Sequence, residues 1–75
     1  MKITYDPEAD ALSIRLREGQ YECRTVRLTE DIALDFAEGE VLVSIEVLGA
    51  SALGVTPERP HVLLERLKGV VAGVV

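Results

Sequence analysis

The front part of the chain alternates apolar and polar residues in three separate runs. Leu12, Ile14 and Leu16 form the first run, the second covers residues 32–36, and the third covers residues 41–47. Alternation with a period of two places apolar residues on one face of a β-sheet and polar residues on the other. The pattern therefore predicts an antiparallel sheet with one face buried against the core and one face exposed to solvent, which we call the wet face.

Turn-forming residues divide this part of the chain into five predicted strands. Pro7 lies among acidic residues in the first turn, Gly19 lies in the second, and Gly39 marks the last hairpin. The predicted strands cover residues 2–5, 11–17, 22–28, 32–36 and 41–48. We expect consecutive strands to be neighbours, which gives a five-stranded antiparallel β-meander.

The last twenty or so residues change to a helical period. Thr56 followed by Pro57 is typical of a helix N-cap, although Pro60 favours a start at that residue. We predict a helix over residues 60–68 that packs on the apolar face of the sheet, and residues 70–75 fit either a helix or a strand. The expected fold is a single α+β domain, with the meander and a short turn in residues 1–53 and the C-terminal helix and tail in residues 54–75.

Composition narrows the classes of function. The 75 residues carry a formal net charge of −5, which disfavours a nucleic-acid surface because phosphates would be repelled. The longest apolar stretch, residues 70–75, is too short to cross a membrane, and the first residues do not resemble a signal peptide. A single cysteine, Cys23, agrees with a reducing cytoplasm. Abundant charge and few amide side chains suggest a thermophilic source.

Three carboxylates at alternate positions, Asp6, Glu8 and Asp10, form the first candidate ligand site. This spacing opens a calcium loop, but Ala11 and Arg17 stand where such a loop needs a glycine and a bidentate glutamate. We therefore favour a solvated turn in which the aspartates accept backbone hydrogen bonds, with weak divalent-cation binding as the alternative. No metal or cofactor is assigned.

Charged side chains on the wet face form the second candidate. Arg15 and Glu46 are expected there with other arginines and acids, as an array of ion pairs or as a recognition surface for an anionic ligand or a partner. The sequence contains no nucleophile–base pair and no phosphate-binding loop, so we do not expect an enzyme.

Apolar residues without an evident place in the core predict self-association. Leu42 and Leu48 fall on the nominally wet side of the fifth strand, and the chain ends with unpartnered valines. These valines are Val70, Val71, Val74 and Val75. Because exposed apolar patches are usually small on monomers, we expect a homodimer or a larger assembly, with a small protein partner as the alternative.

Two strings of residues resemble a known family. The strings are YDPEADALSIRLREG at the start and DIALDFAEGEVLVSIEVLGAS further on. They are similar to the YDxExDxLYIxL opening and the closing segment of the domain-of-unknown-function family 2283, over residues 1–53, although Ser13 stands where the family usually has an aromatic residue. The resemblance implies a compact sheet-rich domain and no reaction. Some members resemble partner proteins encoded beside toxin-like genes, which makes an antitoxin-like role a further alternative.

Overall fold

The computed structural model describes residues 1–63 and residue 65, and it contains one antiparallel sheet of five strands. The strands are β1 (Lys2–Asp6), β2 (Ala11–Arg15), β3 (Arg24–Arg27), β4 (Ile32–Ala37) and β5 (Val41–Leu48). Their order across the sheet is β1-β2-β5-β4-β3. Within the described residues no helix is long and apolar enough to cross a bilayer.

The predicted meander is wrong in its topology, because β5 inserts between β2 and β4. Residues 16–23 do not make a hairpin but cross the end of the sheet to its far edge, where β3 begins. Eight extended residues span up to roughly 26–29 Å, and three strand spacings require only about 14 Å. The result is a Greek-key arrangement of β2 to β5.

The apolar content of the strands explains this order. β5 contributes Val43, Ile45 and Val47 to the buried set, so it gains most from a neighbour on each side. β3 carries two arginines in its four residues and occupies an edge. Polar, short edge strands are common because an edge exposes unpaired backbone groups.

The core lies on one face of the sheet and is closed by the segment that follows β5. Leu12, Ile14 and Ile32 belong to the same buried cluster as Val55 and Leu63, which come from outside the sheet. Val55 is anchored by its N–H, which donates to the carbonyl of Ala50 at 2.9 Å. In the described part of the chain, this face is therefore covered by turns and one short helical stretch, not by a long helix.

The predicted helix over residues 60–68, packed on the sheet, is also wrong for the described residues. Only residues 61–63 and 65 are helical there, and residues 64 and 66–75, including the four tail valines, lie outside the described part of the chain. Thr56 makes an N-cap-type bond, since its Oγ1 accepts the N–H of Arg59 at 3.1 Å. Pro60 follows at once and has no N–H to donate, so this turn does not extend into a helix.

A bulge in β5 changes the face of Leu42. Asp35 pairs with Ser44, but the next residue, Phe36, pairs with Leu42, so Val43 is an extra residue in the ladder. Leu42 therefore shares the face of Phe36 and packs against the core cluster. Strict alternation had placed Leu42 on the wet side.

Candidate functional site

The carboxylate of Asp10 ties the β1–β2 hairpin to the loop that follows β5. The hydroxyl of Tyr5 donates to its Oδ1 at 2.6 Å, and the hydroxyl of Ser51 donates to its Oδ2 at 2.6 Å. The backbone N–H of Ser51 adds a bond to Oδ1 at 3.1 Å. The carbonyl of Asp10 also accepts the N–H of Ala50 at 3.0 Å. We call Tyr5, Asp10 and Ser51 the Asp10 clamp.

Local backbone geometry explains why an aspartate stands at this position. Asp10 has a φ of 50°, in the left-handed region, where a short polar side chain is tolerated better than most. On the other side of the clamp, Gly49 has a φ of 61° and starts the tight turn that carries Ser51. Both halves of the clamp are thus positioned by turns that end strands.

The clamp changes the acidity of two of its members. The hydroxyl of Ser51, and then that of Tyr5, hold the pKa of Asp10 below its ordinary value, while partial burial acts in the opposite direction. The pKa of Tyr5 is raised, chiefly because its hydroxyl donates to the Asp10 carboxylate. Asp10 is therefore ionised at neutral pH and its oxygens are occupied, which makes it a weak general base.

The other two carboxylates of the acidic turn do not join Asp10. Oδ1 of Asp6 accepts the N–H groups of Glu8 at 3.0 Å and Ala9 at 3.5 Å, which closes an Asx turn. The Glu8 side chain is exposed. Among the described residues, no three Asp, Glu, His or Cys side chains are placed to hold a metal ion together.

The wet face separates Arg15 from Glu46. The guanidinium of Arg15 donates to the carbonyl of Gly19 in the crossover, whereas Glu46 is exposed opposite Ser13 and Ala33. In the cross-strand row of Arg15, beyond Ser44, the Asp35 carboxylate accepts hydroxyl bonds from the two neighbouring strands, namely from Thr25 at 2.6 Å and from Ser44 at 2.9 Å. A shallow cleft of about 200 Å³ lies beside this network. It is lined by Thr25, Arg27, Asp31, Ala33, Asp35, Glu46 and Leu48.

A charged cluster lies at the start of the edge strand β3. The Arg24 guanidinium lies 5.5 Å from the centre of the Phe36 ring, and it donates to both carboxylate oxygens of Glu40 at 2.7 Å. Arg24 therefore covers the end of the apolar face with the charge directed to solvent, as expected for a residue at the boundary of the core.

An apolar groove of about 280 Å³ lies on the core face beside β1, and we call it the β1 groove. Ile3, Ile14 and Ile45 are cross-strand partners and form part of its floor. Leu16 is 39% exposed and Met1 is 83% exposed. The full lining is Met1, Ile3, Ile14, Leu16, Ile45, Pro60, His61 and Leu63.

The β1 groove is not evident from the sequence pattern, although Ile3 and Leu16 continue the apolar alternation of their strands. Of the residues predicted from the sequence to form an interface, Leu42 lies against the core cluster. Leu48 is 37% exposed and lines the cleft on the wet face. His61, the only histidine, lies in the groove wall next to apolar side chains.

The comparison with protein families assigns the chain to one of them. The chain belongs to the family described as protein of unknown function (DUF2283), whose model matches residues 2–51. This range contains all five strands and ends at Ser51, so it includes the whole Asp10 clamp and the sheet side of the β1 groove. No curated protein and no solved structure matches the chain.

Proposed function

We propose that this protein is a non-catalytic interaction module that acts as a homo-oligomer. The observation that carries the proposal is the β1 groove. It is apolar except for His61, it lies on the same face as the core, and its outer rim exposes Leu16 and Met1. Burial of such side chains is the main favourable term in protein association.

The polar side chains support a non-catalytic role. Among the described residues, Asp10 and Ser51 come nearest to forming a pair of a base and a hydroxyl nucleophile. The Ser51 hydroxyl, however, donates to a carboxylate that already accepts two further hydrogen bonds. A lowered pKa makes Asp10 a poor acceptor for the proton that a nucleophile must lose. The clamp is therefore suited to holding the hairpin and the following loop together.

Two leucines of nearly equal exposure allow a matched test. Leu16 in the groove is 39% exposed and Leu48 on the wet face is 37% exposed. We expect light scattering coupled to size exclusion, at micromolar concentration, to give a dimer or larger for the unmodified chain. Leu16→Asp should shift it to monomer, because an interfacial carboxylate without a partner is costly to bury, and Leu48→Asp should not.

Three other results would refute parts of this proposal. A monomeric unmodified chain would refute the homo-oligomer. Dissociation by Leu48→Asp alone would move the interface to the wet face and remove the support given by the groove. Turnover in a broad substrate screen that survives repurification and disappears in Asp10→Ala would refute the non-catalytic role.

A further inference from the structure

The strand β1 lies at an edge of the sheet, and the hydrogen bonds of its neighbour fix the orientation of its backbone. β1 pairs only with β2, which pairs with β5 on its other side. The N–H of Leu16, just after β2, donates to the carbonyl of Val43 in β5 at 2.8 Å. Because backbone groups alternate in direction along an antiparallel strand, the even-numbered residues of β2 are directed toward β5 and the odd-numbered ones toward β1.

The outer side of β1 therefore presents the backbone groups of Ile3 and Tyr5. Thr4 is the partner of Ser13, an odd-numbered residue of β2, so Thr4 bonds inward to β2. Its two neighbours in sequence have the opposite direction, and their N–H and carbonyl groups face away from the sheet. Among the described residues these groups have no strand partner, so they can accept an added strand.

The side chains of β1 are complementary to a second, antiparallel β1. Ile3 and Tyr5 are half-buried and pack against the core cluster, while Lys2, Thr4 and Asp6 are exposed on the wet face. If the pairing is centred on Thr4, Lys2 of each strand lies opposite Asp6 of the other. Ile3 then lies opposite Tyr5, so the outward backbone groups of the two strands meet. Opposite charges, and an aromatic residue facing a β-branched one, are favourable cross-strand pairs.

We propose that β1 of one chain pairs antiparallel with β1 of a second copy about a two-fold axis at Thr4, which joins the two sheets into one continuous sheet. This rests on the proposed function and names the partner strand and its register. On the core face, the Tyr5 ring of each copy lies beside Ile3 of the other, at the open side of the β1 groove. The second copy therefore borders the groove.

Charge and backbone chemistry select this register over the adjacent ones that keep both core faces on one side. A lysine on an edge strand opposes any pairing that leaves its ammonium group without a partner, and Lys2 forms no ion pair with the described part of its own chain. A pairing centred on Ile3 places Lys2 opposite Thr4. A pairing centred on Tyr5 places Ile3 opposite Pro7, which has no N–H to donate.

An engineered disulfide tests the register. Thr4→Cys, in a chain that also carries Cys23→Ser to remove the free thiol, puts two thiols at the two-fold axis. The Cα atoms of such a pair are about 4.5 Å apart because the pair is not hydrogen-bonded, and a disulfide spans this distance. Ser13→Cys in the same background is the matched control, since Ser13 is exposed on the same face and lies one strand inward.

The control cannot reach its own copy across the proposed interface. Three strand spacings, about 14 Å, separate the two Ser13 positions, which is beyond the reach of a disulfide. After mild oxidation with diamide at micromolar protein, non-reducing gel electrophoresis should show most of the Thr4→Cys chain as a covalent dimer. The Ser13→Cys chain should give at least about tenfold less, because its thiols meet only in random collisions.

An exchange of charges tests the ion pairs. Lys2→Glu sets an acid opposite an acid at both ends of the paired strands, and Asp6→Lys sets a lysine opposite a lysine. At low ionic strength each variant alone should raise the dimer dissociation constant at least about tenfold, which is about 1.4 kcal/mol. A mixture of the two variants restores both opposite-charge contacts, so sedimentation velocity should return the affinity to within about threefold of the unmodified chain.

A charge reversal at the other edge of the sheet is the matched control. Arg27→Glu, at an exposed position of β3, changes the net charge as Lys2→Glu does and should leave the dissociation constant within about twofold. Circular dichroism confirms that each variant is folded. If Asp6→Lys is not, Asp6→Asn replaces it and keeps the oxygen that closes the Asx turn. Its mixture with Lys2→Glu has no like-charge contact and should still bind at least about threefold better than Lys2→Glu alone.

The remaining results separate this inference from the proposed function. If the unmodified chain is a dimer but Thr4→Cys cross-links no better than Ser13→Cys, the β1 pairing is wrong while the homo-oligomer stands on another surface. If Lys2→Glu weakens the dimer no more than Arg27→Glu, the register is wrong. If the unmodified chain is monomeric at micromolar concentration, the proposed function fails together with this inference.

Discussion

Leu63 provides a sharp test of how the core is closed. It comes from the short helical stretch after Pro60, beyond the region that matches the family, yet only 2% of it is exposed and it belongs to the buried cluster. We predict that Leu63→Ala is strongly destabilising even though it lies in neither a strand nor a long helix.

The structure limits the expected loss in the free energy of unfolding. Removing a buried leucine side chain typically costs about 2–5 kcal/mol, because transfer free energy is lost and a cavity remains. Leu63 also lines the open β1 groove, so the space left by its side chain is in contact with solvent and the lower half of that range applies. We therefore expect a loss of about 2–3 kcal/mol.

Urea denaturation followed by circular dichroism measures this loss. For a domain of this size each kcal/mol lowers the melting temperature by roughly 4–8 °C, so the expected decrease in a thermal melt is about 8–24 °C. Leu48→Ala is the matched control, because Leu48 is 37% exposed and its loss should cost less than about 1 kcal/mol. All chains are compared at one protein concentration, since self-association adds to apparent stability.

Equal effects of the two substitutions would refute the reasoning. They would mean that residues 55–63 do not close the core, and that the sheet keeps its apolar face covered in some other way. A loss for Leu63→Ala that disappears at low protein concentration would instead place Leu63 at an interface between copies.

Two further predictions concern the acidic turn. The lowered pKa of Asp10 gives stability that is present above the ordinary value of 3.8 and is lost as the pH falls through the folded-state value. The urea midpoint should therefore decrease below about pH 4, and this decrease should be smaller in Asp10→Asn. An equal decrease in both chains would contradict the clamp. Calcium or manganese at millimolar concentration should change the melting temperature by less than about 1 °C, because the carboxylates of Asp6 and Asp10 already accept hydrogen bonds. A larger rise that is lost in Glu8→Ala would show a cation site at this turn.

The positions of the strands were predictable because alternation is a local signal. The predicted bounds of the last strand coincide with β5, Val41–Leu48, and those of the fourth differ from β4 by one residue. The order of the strands within the sheet was not predictable in the same way. A glycine-containing turn such as residues 18–20 has the same composition whether it reverses the chain locally or lies within a crossover, so the insertion of β5 beside β2 left no mark on the sequence.

The same limit applies to the candidate site. The turn chemistry of Asp6 and Asp10 was visible in the spacing of Pro7 and the acids, but one of the two side chains that bind Asp10 is Ser51, 41 residues away. Leu42 shows the limit within a single strand. Its face depends on a bulge that exists only because β5 pairs with β4 in a shifted register.

The two edge strands of the sheet carry different side chains, and this difference bears on where an interface can form. β3 is four residues long, and its Arg24 reaches over Phe36 to Glu40, while Arg27 donates to the carbonyl of Glu30 at 3.0 Å. Charges anchored in this way obstruct the approach of another strand. At the opposite edge, β1 borders the apolar groove at Ile3. If one edge of this sheet is reserved for a second copy, the physical chemistry of the two edges selects β1.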